Sequence, residues 1–353
     1  TELGLLGNRG SWPTEDRGHL LDLAISGEFD FLGRSHEAIF GLSRGTGKET
    51  QYWRPVDEND PSWGALPAFP YAGNAVAEPV WGPTEEYSIV DQTLERVYGA
   101  ARLSMTDKLT AIVGINWADY HRDGHQQGAH FDQTERELSP YGGVTYEVVD
   151  NVLLYASYSD IYQPQDYYDV NDEYLDPSKG VNYELGVKAD WLDQRVLTTL
   201  AWFTAEQEGL GTFAGMNENG NYYYEGVDID SEGYELEVVG RLNDYVDLVL
   251  GFTSLELKGQ QNEDIYEWVP RETVNLALST KVPGLTSVAL GINGRWQSDI
   301  SKVDEYTGVR VRQDSYAHLN TFVRWDVTDQ MTVRANVNNL TDEKYITSLY
   351  QIG

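Results

Sequence analysis

Apolar and polar residues alternate one for one over long stretches from one end of this chain to the other. Tyr183, Leu185, Val187, Ala189 and Trp191 make one face of such a stretch, and Glu184, Gly186, Lys188 and Asp190 the other. The pattern returns in Tyr234, Leu236 and Val238 against Glu235 and Glu237, and in Val288, Leu290, Ile292 and Trp296 against Ser287, Gly291, Asn293 and Arg295. It returns again in Met331, Val333, Ala335 and Val337 against Thr332, Arg334, Asn336 and Asn338. Side chains of a strand point alternately to its two faces, so this period predicts strands with one apolar and one polar face, and helical spacing fits none of them.

Fourteen strands are expected, at 19-31, 36-46, 86-104, 108-121, 133-148, 151-162, 178-191, 194-210, 226-241, 245-258, 269-281, 286-298, 309-325 and 330-340. Many are as long as the roughly 9–11 residues that cross a bilayer at a tilt, well beyond the roughly 5–6 of soluble sheets. The connections sort by length. Short turns at Gly33-Arg34-Ser35, Thr106-Asp107, Asp150, Leu192-Asp193, Asn243-Asp244, Val282-Pro283-Gly284 and Asp326 to Asp329 alternate with long loops. The long loops span 47-85, 122-132, 163-177, 211-225, 259-268 and 299-308. Short turns on one side and long loops on the other describe an all-β, antiparallel, up-and-down transmembrane β-barrel, with periplasmic turns and extracellular loops. A soluble sandwich has no reason to sort its loops this way.

A charge facing lipid at mid-membrane costs about 2–4 kcal/mol, so Glu235, Glu237, Arg295 and Arg334 are expected to face inward. A slip of one residue would put them in hydrocarbon, which fixes the pairing. Phe31, Trp117, Trp191, Trp202, Trp296 and Trp325, near strand ends, are candidates for the aromatic girdles.

Composition removes several function classes. The 353 residues begin at Thr1 with no apolar targeting segment, and include no cysteine, so disulfides, thiol catalysis and Cys-ligated metals are excluded. The formal charge of −32 would repel nucleic acid. Strong acidity often signals disorder, but 24 Tyr and 10 Trp give enough apolar surface to fold. No stretch approaches the roughly 20 apolar residues of a membrane helix, which leaves strands as the means of crossing.

Four segments carry a family resemblance. Leu153 to Gln165, LLYASYSDIYQPQ, resembles the YASYSxxxxPQ strand of TonB-dependent siderophore receptors. Asn182 to Lys188 followed by Leu192 to Val196 resembles their NYExGxK…LDxRL hairpin, and Ser231 to Glu237 their SxGxExE strand start. Asn336 to Tyr345, NVNNLTDEKY, is similar to their near-terminal signature. Ser26 to Glu37 further resembles the branch that takes up ferric pyoverdine, coprogen and rhodotorulic acid.

The resemblance covers residues 1–353 as one partial barrel domain. It implies a family barrel of about 22 strands around a plug, so the plug, the TonB box, about seven strands at the start and a final strand have no counterpart here. It implies an outer-membrane protein of a Gram-negative bacterium, monomeric and not an enzyme. Such a protein imports a ferric siderophore, of hydroxamate or pyoverdine type, with energy from TonB, ExbB and ExbD. Lipopolysaccharide and lipid would be its surroundings, and the chelate its cargo with no resident cofactor. Other TonB-dependent imports (a corrinoid, haem or a glycan) and a passive porin are the alternatives, distinguished by uptake of labelled chelates and by an upstream plug and TonB box. The acidity has a separate reading: a saline habitat, or divalent cations joining acidic loops to lipopolysaccharide.

Ligand contacts are expected from loop aromatics, whose faces pack on a chelate's organic shell. They are Tyr52, Trp53, Trp63, Tyr71 and Trp81 in the first long loop, Tyr167 and Tyr168 in the third, Tyr222 and Tyr223 in the fourth, and Tyr266 and Trp268 in the fifth. His121, His125 and His130 with Asp119, Asp123 and Asp132 have metal-binding composition but no zinc-type spacing, so no metal site is expected. Asp166, Asp169, Asp172, Glu173 and Asp176 crowd one loop without the EF-hand calcium spacing, and are expected to be a solvated acidic loop. Gly41 to Gly47 does not match a phosphate loop, and no Ser-His-Asp or paired-carboxylate arrangement is identifiable, so no catalytic residue is expected.

Overall fold

The computed structural model describes residues 10–57, 77–126, 129–304 and 308–349. Its elements are all strands: β1 Thr14–Phe31, β2 Arg34–Trp53, β3 Glu85–Ser104, β4 Leu109–Gln126, β5 Ala129–Val149, β6 Val152–Gln163, β7 Ser178–Trp191 and β8 Val196–Met216. There follow β9 Tyr222–Arg241, β10 Val246–Lys258, β11 Glu272–Val282, β12 Leu285–Gln297, β13 Ile300–Val303, β14 Arg310–Gln313, β15 Tyr316–Thr328 and β16 Met331–Val337. Fourteen of them form one sheet in strict chain order, β1 to β12, then β15 and β16; β13 and β14 pair as a separate hairpin. The up-and-down order is the one that the alternating turns predict.

Four expectations are corrected. The strand expected at 309-325 is two, because β14 belongs to the small hairpin and β15 to the main sheet. The loop expected at 211-225 is instead a continuation of β8 and β9 that leaves only 217–221 to turn, and the segment 47–53 belongs to β2. The loop expected at 122-132 is largely strand as well, since β4 runs to Gln126 and β5 starts at Ala129. Lipid limits the alternating pattern, not the strand: beyond the bilayer a hairpin can continue with either pattern of side chains.

By contacts the chain forms two compact units, one of residues 1–27, 38–100 and 115–138, the other of 28–37, 101–114 and 139–353. In the second, the pairing register gathers the alternating side chains into rows. Leu154, Val187, Leu200, Leu236, Phe252, Val274 and Trp296 are successive cross-strand partners from β6 to β12. The adjacent row reads Leu153, Lys188, Thr199, Glu237, Gly251, Asn275, Arg295 and His318. Glu235, Glu237, Arg295 and Arg334 therefore share the polar face, and Trp191, Trp202, Trp296 and Trp325 the apolar one. The apolar face is bare, with Leu185 at 55% and Val323 at 43% exposure. In water such a continuous surface would aggregate, whereas in hydrocarbon it needs no cover.

Glycines on these faces are filled from the neighbouring strand. A Cβ on Gly186 would lie 2.5 Å from a ring carbon of Tyr155, and rings of Phe322 and Tyr141 cover Gly291 and Gly114 in the same way. Within the first unit, Tyr98 covers Gly41 and donates its hydroxyl to Asp22. At the turn end, Leu32 (φ 49°) and Gly33 (φ 74°) make the two-residue hairpin turn between β1 and β2. His36, buried beside that turn, accepts the Ser104 backbone N–H on Nδ1 (3.1 Å), which leaves Nε2–H to donate to the Phe31 carbonyl at 3.0 Å.

Candidate functional site

The expected aromatic residues fall into separate groups. Tyr52 and Trp53 lie in β2, not in a loop. Trp53 packs on Trp12 at 4.3 Å between ring centroids, and Trp12 meets the edge of Tyr87 at 4.8 Å. Trp81 pairs with Val56 through an isolated bridge, lies under the Arg54 guanidinium at 5.9 Å, and donates Nε1–H to Glu78 at 3.2 Å. Trp63 and Tyr71 lie outside the described residues.

The second unit holds the larger group, arranged around the far end of the β8–β9 hairpin. β7 pairs with β8 only as far as Glu208, and β10 with β9 only as far as Asp230. The remaining rungs, Leu210↔Val227 to Met216↔Tyr222, stand as two strands. β9 alternates without interruption, so Tyr222 and Tyr224 share the face of Tyr234, and Tyr223 shares that of Glu235. β8 bulges between Gln207 and Leu210, and its alternation inverts there. Beyond the bulge, Thr212, partner of Glu225, falls on the polar-face side, and Phe213, partner of Tyr224, on the other.

This sorts the candidates. Tyr167 stacks on Tyr224 at 4.2 Å, Phe213 meets the edges of Tyr222 and Tyr224, and Tyr168 packs on Tyr174 at 4.2 Å. These rings are used in joining the 163–177 loop to one side of the hairpin. Thr212 instead lies 2.7 Å from the Tyr266 hydroxyl, which brings Tyr266 to the side that Tyr223 faces. Trp268 meets Tyr266 edge-on at 4.7 Å, and the Lys302 ammonium sits 5.3 Å over the Trp268 ring. Tyr266 adopts φ 51°. A bulky residue in the left-handed region costs about 1–3 kcal/mol and persists only where its surroundings impose it.

The loop electrostatics follow from donors the chain itself supplies. Asp169 closes its own turn, accepting the backbone N–H groups of Asn171 (2.8 Å) and Glu173 (2.9 Å). The Glu173 N–H, with the Asn171 side chain, holds its carboxyl below the ordinary range. Asp172 accepts side-chain amides from Asn219 (2.8 Å), Asn221 (3.1 Å) and Asn217 (2.7 Å), and these three depress its pKa in the same way. Glu267 is lowered by the Ser301 hydroxyl and by the Arg310 guanidinium, while burial acts against both. Burial pushes Arg271 down, and Asp264 and Glu267 act against it.

His121, His125 and His130 belong to the first unit. His121 contacts Thr134 (3.0 Å), Asp123 (3.4 Å) and Asp132 (3.8 Å), while His125 faces Glu86 at 3.3 Å. Among the described residues no three His, Asp or Glu side chains converge as metal ligands would.

Sequence reasoning missed Thr212, Phe213 and Tyr224; it named Gln165 only as the end of a family motif, and Asp172 only in an acidic loop expected to be solvated, where the structure instead ties it to three amides. One signal was available: Asn217, Asn219 and Asn221 recur at every second position. A comparison with known proteins places the chain. The family model described as TonB dependent receptor-like, beta-barrel, matches residues 2–340. The ferripyoverdine receptor of Pseudomonas aeruginosa is 30% identical over 95% of this chain and 42% of its own length. The ferric-pyoverdine BN7/BN8 receptor of Pseudomonas putida is 31% identical over 92% and 40%. The crystal structure of the P. aeruginosa receptor bound to ferripyoverdine superposes with a TM-score of 0.79 at 28% identity, over 95% of this chain and 46% of that one. The chain spans less than half the length of the curated relatives it matches.

Proposed function

The chain belongs to the TonB-dependent receptor-like β-barrel family of the Gram-negative outer membrane, and on that premise we propose that it serves the import of a ferric siderophore of the pyoverdine type. TonB, with ExbB and ExbD, would supply the energy. No step of this transport changes a covalent bond of the ligand, so it calls for no catalytic residue.

The observation that carries the reading to this site is Tyr266. Its strained backbone is held by Thr212 and Trp268 on the side that continues the polar face, which in a family barrel lines the interior. Tyr223, Tyr266 and Trp268 then offer ring faces and hydroxyls to the organic shell of the chelate from above the membrane. Tyr52 and Trp53 at the end of β2, and Trp81 in the segment before β3, belong to the first unit and are a separate proposal for ligand contact. Tyr167, Tyr168 and Tyr222 act by packing.

Uptake tests this. Cells lacking their own siderophore receptors and carrying the gene that encodes this chain should accumulate iron-radiolabelled pyoverdine, and should stop when the proton gradient is collapsed. Uptake that continues without the gradient would make the protein a passive pore, and no uptake of pyoverdine or of hydroxamate chelates would overturn the siderophore assignment.

A further inference from the structure

Among the described residues the outer part of the β8–β9 hairpin stands as two strands with no further strand on either side, and a two-stranded ribbon is marginally stable in water. Something must hold it. At its bulge, just past the end of the β7 pairing, the carbonyl of Gly209 (φ 68°) and the N–H of Gly211 need a partner from outside the hairpin.

Gln165 fills that gap. Its side chain is 6% exposed, and Nε2 donates to the carbonyls of Gly209 (2.8 Å) and Asp176 (2.8 Å), while Oε1 accepts the Gly211 N–H at 2.6 Å. One carboxamide thus satisfies the backbone groups freed by the bulge and ties both ends of the 163–177 loop to it. Halfway up, the Tyr224 N–H donates to the Tyr168 carbonyl at 2.7 Å. At the tip, the Asp169 turn presents Asp172 (φ 62°) to the hairpin turn, where Asn217, Asn219 and Asn221 all donate to its carboxylate. Asn217 is itself fixed, since its Oδ1 accepts the N–H groups of Asn219 (3.1 Å) and Asn221 (3.0 Å).

We propose that Gln165 and Asp172 are positioning residues, which clamp the 163–177 loop to the β8–β9 hairpin at its root and tip and so hold Tyr223 and the Thr212–Tyr266 contact in place for the ligand. The proposal rests on the siderophore reading of the site. The clamp works from the loop on one side of the hairpin and the ligand residues face the other, so either can be altered without touching its opposite number. A clamped arm meets its ordering cost in advance, and that ordering would otherwise be subtracted from binding.

The test uses the full receptor with a nitroxide label at Glu218→Cys on the hairpin tip; residues 1–353 contain no other cysteine, and any in the rest of the receptor is replaced by serine. Gln165→Leu, Asp172→Ala and the isosteric Asp172→Asn should each add a mobile component to the spectrum while thermal unfolding stays unchanged. Each should weaken binding of ferric pyoverdine by about fivefold to tenfold, the scale set by freeing one or two ordered side chains at an interface. Tyr223→Ala should cost less affinity in the Gln165→Leu background than alone. An unchanged spectrum in all three variants overturns the clamp. A loosened spectrum with unchanged affinity, when Tyr223→Ala does weaken binding, overturns the positioning role. If neither Tyr223→Ala nor Tyr266→Ala weakens binding, the ligand reading of the site fails instead, and the spectrum still decides the clamp.

Discussion

The hydroxyls of Thr212 and Tyr266 lie 2.7 Å apart, a hydrogen bond between residues 54 apart in sequence that joins the loop after β10 to the outer end of β8. Tyr266→Phe removes only that bond, and should weaken ferric pyoverdine binding by the roughly 0.5–1.5 kcal/mol of one hydrogen bond. Tyr266→Ala also removes the edge-on contact with Trp268, so its loss of affinity should be clearly larger. Equilibrium binding of the radiolabelled chelate to both variants checks the order.

Acid should release the hairpin tip only late. The Asp172 carboxyl is held below its ordinary range by Asn219, Asn221 and Asn217, so its contribution is complete above the unfolded value of about 3.9 and is lost as pH falls through the lower folded one. The label at Glu218→Cys should stay ordered at pH 5 and loosen only at a pH below that of a free aspartate. Loosening already at pH 5 would show that the three amides do not hold the carboxylate.

Gly186→Ala should destabilise the sheet by about 1–3 kcal/mol, because the new methyl meets the Tyr155 ring and the core is overpacked there. Gly251→Ala is the control: its Cβ would meet no atom within 4 Å, and its stability should be nearly unchanged. Urea unfolding of the refolded receptor in lipid vesicles gives both values.

Leu236→Arg should reduce stability in bilayers by about 2–4 kcal/mol, since position 236 is in the apolar row, while Glu237→Gln in the adjacent polar row should change little. The same urea titration separates them. Equal effects would mean that the two faces are not divided between lipid and interior.

His36→Phe should cost about 1–3 kcal/mol, because the buried Ser104 N–H loses its acceptor while the ring stays filled. His36→Asn, which restores an acceptor but leaves a gap beside Phe29, should differ from it in hydrogen exchange at Ser104. Exchange at that amide is the measurement that isolates the bond.

Inside the bilayer the fold was legible because lipid and interior demand opposite side chains. Fourteen strands in chain order, the polar face shared by Glu235, Glu237, Arg295 and Arg334, and the apolar face bearing Trp202 and Trp296 all follow from alternation alone. Beyond the bilayer that demand ends. The outward run of β8 and β9 to Met216 and Tyr222 and the small β13–β14 hairpin left no periodic trace, since either face there meets water or a loop.

The sequence by itself thus determined the strand order, the division of each membrane strand into an apolar and a polar face, and the family, each through a pattern that local chemistry imposes residue by residue. Which aromatics face a ligand was decided only in three dimensions. Counting alternate residues up β8 from Trp202 puts Thr212 on the apolar face and Phe213 on the polar one. The single extra residue at the Gly209 bulge reverses both, frees the two backbone groups that Gln165 takes up, and turns Thr212 toward Tyr266. A bulge costs one residue in the chain and inverts the side chains after it, here as far as the second shift between Phe213 and Gly215, so its effect is read from the pairing and not from the composition.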